Sequence, residues 1–240
     1  MPEYRSELLS KMEVAEGTMA FHFRKPDGFE FRAGQTIDVT PINPPETDAE
    51  GDIRTFSLAG APAEPELMVA TRMRDTAFKR VLKAAAPGLK VKLEGPTGSL
   101  TLHKNVNKAA VLMAGGIGIT PFRSMIVQAA QDRLGPEIFL FYSNRRPEDG
   151  PFLEELEHIG RGFPNFHLVA TMTDMGSSGL QWSGETGYID AEMLRRHLKS
   201  IQGPIYYIAG PPSMVAGMRD MLVKAGVDED DIRTEDFAGY

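Results

Sequence analysis

Residues 113–122 read MAGGIGITPF. The run Ala110–Met113 leading into it is apolar, and Gly115, Gly116 and Gly118 then fall within four positions. Glycine in an ordered segment costs ~0.5–1 kcal/mol relative to alanine, so three together imply that something approaches bare backbone. The order is strand, glycine turn, helix. Thr120 is placed to cap the helix through its hydroxyl, and Pro121 suits the first helical position. Exposed N–H groups and the positive end of the macrodipole then make an anion site. Arg123, in the first turn, opposes that dipole unless an anion sits beside it. The spacing is neither G-x-G-x-x-G nor G-x-x-x-x-G-K-[ST], and a tight strand–helix turn without a ligand is the alternative.

Outward from this stretch the chain divides. Beyond Lys104, apolar runs (AAVLMAG, EIFLFYS, NFHLVATMT, PIYYIAG) alternate with helical segments over about 121–133, 152–159, 191–199 and 213–225. That alternation predicts a parallel sheet with covering helices, a Rossmann-like arrangement, over 104–240. Residues 1–103 read differently. TMAFHFR alternates with period two, and QTIDVTPI, TFSLAG, ELMVATRM and LKVKLEGP follow between Gly/Pro-rich breaks. Short strands with one helical interlude, about 76–86, predict an antiparallel barrel or sandwich.

Composition narrows the classes. The 240 residues are 42% hydrophobic and 25% charged, enough for a packed core. Net charge is −7, which argues against general nucleic-acid binding. No run is long and apolar enough for a membrane span, and MPEYRSELLSKMEV lacks a signal-peptide core, so a cytoplasmic protein is expected. There is no cysteine, hence no disulfide, thiol nucleophile or Cys-ligated cluster. The five histidines lack ligand-like spacing, so no metal site is expected, and no catalytic triad is visible. One strip is basic: Arg72, Arg74, Lys79, Arg80, Lys83, Lys90 and Lys92 against the single acid Asp75. It reads either as a solvated face or as a patch for an acidic partner or a phosphate-bearing cofactor.

Four further strings carry chemistry. IRTFSLAG puts Arg54, Thr55, Phe56 and Ser57 on one strand, offering phosphate pairing, a stacking surface and a hydroxyl. YIAGPPSM places Gly210 and Pro211 at a strand end, where a parallel sheet presents its ligand loops. FYSNRRPED puts Asn144, Arg145 and Arg146 where an arginine suits a ribose 2′-phosphate. RTEDFAGY ends the chain on Phe237 and Tyr240, aromatics where polar residues are usual.

In this order the strings resemble the ferredoxin–NADP reductase superfamily across almost the whole chain. The matches are R-x-[YF]-S at 54–57, a flavin-phosphate segment with a helix-starting Thr76 in TRMRDTAFKRVL, G-P-x-G at 95–98, G-x-G-x-x-P at 116–121 and [CA]-G-P-P at 209–212. The resemblance implies a six-stranded Greek-key barrel binding FAD, joined to a nicotinamide dinucleotide domain that takes NADP or NAD. Arg54 and Thr76 would hold the flavin pyrophosphate with Arg72 or Arg74, Phe56 would stack on the ring, and the Ser57 hydroxyl would sit near N5. Gly116, Gly118, Thr120 and Pro121 would let the dinucleotide approach, Gly210 and Pro211 would line its path, and Phe237 or Tyr240 would cover the flavin. Phe56 stands where the family more often has tyrosine, and Ala209 where it often has cysteine. The family's glycine ahead of Thr76 is missing, which leaves FMN open beside FAD. The implied function is hydride transfer from NAD(P)H to the flavin and delivery of electrons to a separate acceptor, with small acidic ferredoxins or flavodoxins suiting the basic strip. A flavin reductase or diaphorase, or a non-catalytic nucleotide-binding redox sensor, are the alternatives.

Overall fold

A computed structural model describes residues 1–237, so Tyr240 lies outside the described residues. The barrel half runs β1 (Glu3–Ala15), β2 (Thr18–Arg24), β3 (Thr36–Pro41), β4 (Arg54–Ser57), β5 (Glu66–Arg72), α1 (Ala77–Ala84) and β6 (Lys90–Thr97). Its six strands lie in the order β4-β3-β6-β1-β2-β5, all antiparallel. An antiparallel bridge from Leu58 to Val69, beside Ala59 N–H to Met68 C=O (2.8 Å), brings the two edge strands together. Phe21, Phe23, Ile37, Val39, Leu67, Val69, Val91 and Leu93 fill the interior, and α1 adds Phe78 and Leu82.

The second half runs β7 (Ala110–Gly115), α2 (Ile119–Asp132), β8 (Ile138–Asn144), α3 (Leu153–Gly162), β9 (Phe166–Met172), β10 (Glu185–Thr186), α4 (Ala191–His197), β11 (Ile205–Gly210), α5 (Pro212–Lys224) and β12 (Ile232–Asp236). The sheet order is β10-β9-β8-β7-β11-β12, and every pairing is parallel. Every residue of β7 and β11 is buried, because helices cover both faces: α2 and α3 on one, α4 and α5 on the other. From β7 the order runs through β8 and β9 on one side and returns through β11 on the other. A crevice opens at such a reversal, at the carboxyl ends of the strands. Gly115–Gly116 and Gly210–Pro211 lie there.

Two details differ from the sequence reading. β1, β10 and β12 are strands that the pattern did not announce. Helix α2 begins at Ile119, after a 3-10 turn over Gly116–Gly118. The tighter turn starts the helix before Thr120, whose hydroxyl donates back to Ile117 C=O (3.1 Å) rather than capping. Pro121 therefore sits at the third helical position, where its missing N–H is one of the first-turn donors that have no intrahelical partner. Between β6 and β7, residues 98–109 cross from barrel to sheet. Leu100 and Leu102 of this crossing pack on the α2–α3 side of the second core.

Candidate functional site

Two cavities open between the two halves, and the turn into α2 lines both, with Gly115–Ile117 in the larger and Thr120 in the smaller. The larger, about 440 Å³, opens over the carboxyl ends of β7, β8 and β11 and is lined by Gly115, Gly116, Ile117, Asn144, Arg145 and Pro211 from the sheet side and by Thr18 and Arg72 from the barrel. The smaller, about 190 Å³, is lined by Arg54, Phe56, Ser57, Arg74, Thr76 and Lys79 of the barrel, with Thr120 and Phe237 from the other half. The end of β5 separates them: Ala70 and Thr71 face the small cavity and Arg72 the large one.

The small cavity is rich in positive charge. Arg54 lies over the Phe78 ring (5.4 Å), and Phe56 packs at 5.8 Å on the same ring. Burial, with Arg74 and Arg54 close by, pushes the Lys79 ammonium down to about 8. Its Nζ donates to Arg72 C=O (2.7 Å). The loop ahead of β4 brings carboxylates: Glu50 accepts from Arg54 Nη2 (2.8 Å), and Asp48 Oδ2 accepts from Ala77 N–H (2.6 Å), the first residue of α1. Thr76 caps that helix, accepting from Lys79 N–H (3.4 Å). Ser57 Oγ is buried without a hydrogen-bond partner. Thr55 faces elsewhere, donating to Asp38.

The large cleft contains Gly116 at φ +53°, with open space where a Cβ would point. Gly118 differs: a Cβ there would overlap the Ala209 carbonyl and Gly210 Cα, so its role is the close approach of turn and β11. Pro121 is buried within α2 and lines neither cavity. Asn144 is buried with both side-chain amide atoms unpartnered. Arg145 is 71% exposed at the rim, 3.3 Å from Asp174. Arg146 is committed elsewhere. It pairs with Asp149 (2.9 Å) and, across the halves, with Glu16 of the β1–β2 turn (2.8 Å).

The terminal segment supplies a residue that sequence reasoning missed. β12 runs parallel to β11, with Glu235 opposite Ala209, and Phe237 N–H donates to Gly210 C=O (3.0 Å). Alternation puts Arg233, Glu235 and Phe237 on one face, toward the barrel: Arg233 donates to Thr101 C=O and Phe237 lines the small cavity. Burial pushes the Glu235 carboxyl up to about 7, and its Oε2 has no hydrogen-bond partner. The period-two spacing 233/235/237 was the available signal.

The basic strip does not form one face. Arg80 pairs with Glu46 and Asp75 (both 2.6 Å), Lys90 with Glu7, and Lys92 with Glu94 (2.8 Å). Lys79 and Arg74 turn to the small cavity and Arg72 to the large one.

Residues 112–220 match the family model described as "Oxidoreductase NAD-binding domain". The chain is 28% identical over 228 residues to ferredoxin–NADP reductase B of Sorangium cellulosum, spanning 91% of this chain and 90% of that one. It is 26% identical to the phenol hydroxylase P5 protein of Acinetobacter pittii, covering 98% of this chain but 65% of that protein. Among solved structures, a ferredoxin–NADP+ reductase from Neisseria gonorrhoeae with bound FAD and NADP superimposes with a TM-score of 0.80 at 20% identity, covering 98% of this chain and 98% of that one. Among the described residues, no helix is long and apolar enough to cross a membrane.

Proposed function

We propose that the chain is a ferredoxin–NADP reductase-like oxidoreductase, and that it holds a flavin, FAD or FMN, in the small cavity and a nicotinamide dinucleotide in the large one. The observation that carries the reading is the shared turn: Thr120 faces one cavity while Gly116 and Ile117, a few residues earlier, face the other. Two planar ligands entering from either side would meet at it.

The residues fit a flavin. Arg54, Arg74 and Lys79 form a cation cluster whose mutual repulsion a phosphate would relieve, Phe56 offers a flat apolar face, and the unpartnered Ser57 hydroxyl is available to a ring heteroatom. A bound flavin supplies hydride acceptance from a nicotinamide and release of the two electrons singly. The chain's own residues orient and enclose. Gly116 leaves room for a dinucleotide backbone, Arg72 and Arg145 supply positive charge at either side of its cleft, and Asn144 offers its amide. Arg145 suits a 2′-phosphate, and Asp174 competes for it. Phe237 forms part of the small cavity's wall and must yield when a nicotinamide stacks, acting as a gate. Glu235 holds or releases a proton beside it. The rate of flavin reduction should therefore show an inflection near pH 7, where that carboxyl ionises, and Glu235→Gln should flatten it. An unchanged inflection would assign it to another group.

Flavin affinity should also report Lys79. Its ammonium is charged below pH ~8 and favours an anion there, so affinity falls as pH rises through that value, and Lys79→Met should be weaker and flat across the same range. Fluorescence titrations at a series of pH values check this.

The electrons pass to an acceptor of the ferredoxin or flavodoxin kind that lies outside these 240 residues, which contain no cysteine to ligate an iron–sulfur cluster themselves. The name of the Sorangium relative supports it. The experiment is an anaerobic titration of the flavin-loaded protein with NADH and with NADPH. Bleaching of the flavin absorbance supports the reading. Nucleotide binding without bleaching would make the chain a redox-sensing module.

A further inference from the structure

Arg123 stands on α2, one turn beyond Thr120, and is only 6% exposed. All five of its N–H donors have acceptors. Nε and Nη2 form a fork on the Glu155 carboxylate of α3 (2.8 and 2.6 Å). Nη1 donates to Ala59 C=O (2.7 Å), and Nη1 and Nη2 reach Glu64 (3.2 and 3.3 Å). The Phe152 ring covers the guanidinium at 5.2 Å. Glu64 is fixed in turn by Ala61 N–H, and the neighbouring Ser124 hydroxyl donates to Gly60 C=O (2.6 Å). The positive end of the α2 dipole near Arg123 favours an anion beside it. Two carboxylates supply it, one from each half of the molecule.

The position of these partners matters. Ala59 follows Ser57 by two residues, just past the strand that lines the small cavity, and Glu64 lies in the same connection to β5. Arg123 follows the shared turn, Gly116 to Thr120, on the helix that this turn begins. One guanidinium therefore ties the connection that follows β4 to α2 and α3, a few residues from the lining of each cavity. Hydride transfer needs reacting atoms ~3–3.5 Å apart, and a misplacement of about 1 Å costs on the order of 10²-fold in rate.

Resting on the flavin–nicotinamide reading above, we infer that Arg123 is the positioning residue that sets the approach of the two rings, acting through Ala59, Glu64 and Glu155 and touching neither ligand. Lysine cannot reproduce a five-donor fork. Arg123→Lys should keep its flavin and bind nicotinamide within about twofold of the original, yet reduce its flavin at saturating nicotinamide ~10-fold or more slowly. The long-wavelength charge-transfer absorbance of the stacked rings should weaken in parallel. In Arg123→Ala, added guanidinium should restore part of the rate without changing flavin content. Should Arg123→Lys give no folded flavoprotein, Glu155→Gln, on a half-exposed partner, should show the same pattern at smaller amplitude.

An unchanged reduction rate and charge-transfer band in Arg123→Lys, or in Glu155→Gln where that variant stands in, overturns the inference. So does a slowed rate explained wholly by lost flavin or weakened nicotinamide binding. If the unaltered protein binds both ligands but neither nicotinamide bleaches its flavin, the parent reading fails first, and this one with it.

Discussion

Arg54→Gln should cost the protein its flavin. Arg54 faces the small cavity with Arg74 and Lys79, and its guanidinium fork, like that of Arg74, suits bidentate phosphate pairing. Each charge-assisted hydrogen bond to a phosphate contributes ~1.5–3 kcal/mol, so loss of a bidentate pair lowers affinity by ~10²-fold or more. Flavin fluorescence quenching on titration reads this directly. The same arginine also donates to the carbonyls of Glu50, Gly51 and Ile53, so its loss loosens the preceding loop. A companion variant separates the two effects. Glu50→Gln removes the carboxylate that competes for Arg54 and leaves the backbone contacts, so it should tighten flavin binding a few-fold. If Glu50→Gln weakens binding as Arg54→Gln does, the arginine acts by ordering its loop and not on a phosphate.

Gly118→Ala should destabilise the whole sheet, because the added methyl meets backbone on β11 that cannot step aside. Overpacking of this kind costs ~1–3 kcal/mol, and in a chain of this length each kcal/mol lowers Tm by ~2–4 °C. Gly116→Ala makes the contrast. Its φ of +53° costs alanine about 1 kcal/mol, but nothing stands within 4 Å of the new methyl, which points to open space. It should lower Tm less and weaken nicotinamide binding more. Thermal melts and dinucleotide titrations of the two variants distinguish a glycine that lets backbones meet from one that admits a ligand. Equal loss of stability in both would contradict that division.

The sequence disclosed what is local. β7 and β11 read as unbroken apolar runs because both faces of a parallel strand are buried, and the glycine turn between sheet and α2 follows directly on such a run. Arg54, Phe56 and Ser57 were legible because one short strand holds them. β1 was not. Its first five residues pair with β6 and the rest with β2, and much of its length faces solvent, so EYRSELLSKMEVA carries no single apolar face. β12 pairs only with β11 and reads as charged.

The side-chain assignments that sequence left open depend on distant partners. Arg145 and Arg146 are adjacent, yet Glu16, 130 positions away, takes Arg146 into an interdomain tie and leaves Arg145 at the rim. Arg72 and Arg74 fall into different cavities because β5 ends between them. Lys79, one of the strip expected on the surface, turns inward to the cationic end of the small cavity. Glu235 becomes notable only when β12 adds to the sheet and carries it to the barrel-facing side.

The central claim is that a flavin in the barrel and a nicotinamide over the sheet meet face to face, so that hydrogen passes directly between them. Anaerobic stopped-flow reduction with nicotinamide deuterated at the transferring position tests this most directly. A slowed bleaching of the flavin relative to the protonated coenzyme is the predicted result. Flavin that stays oxidised with either coenzyme while both ligands are bound would contradict it.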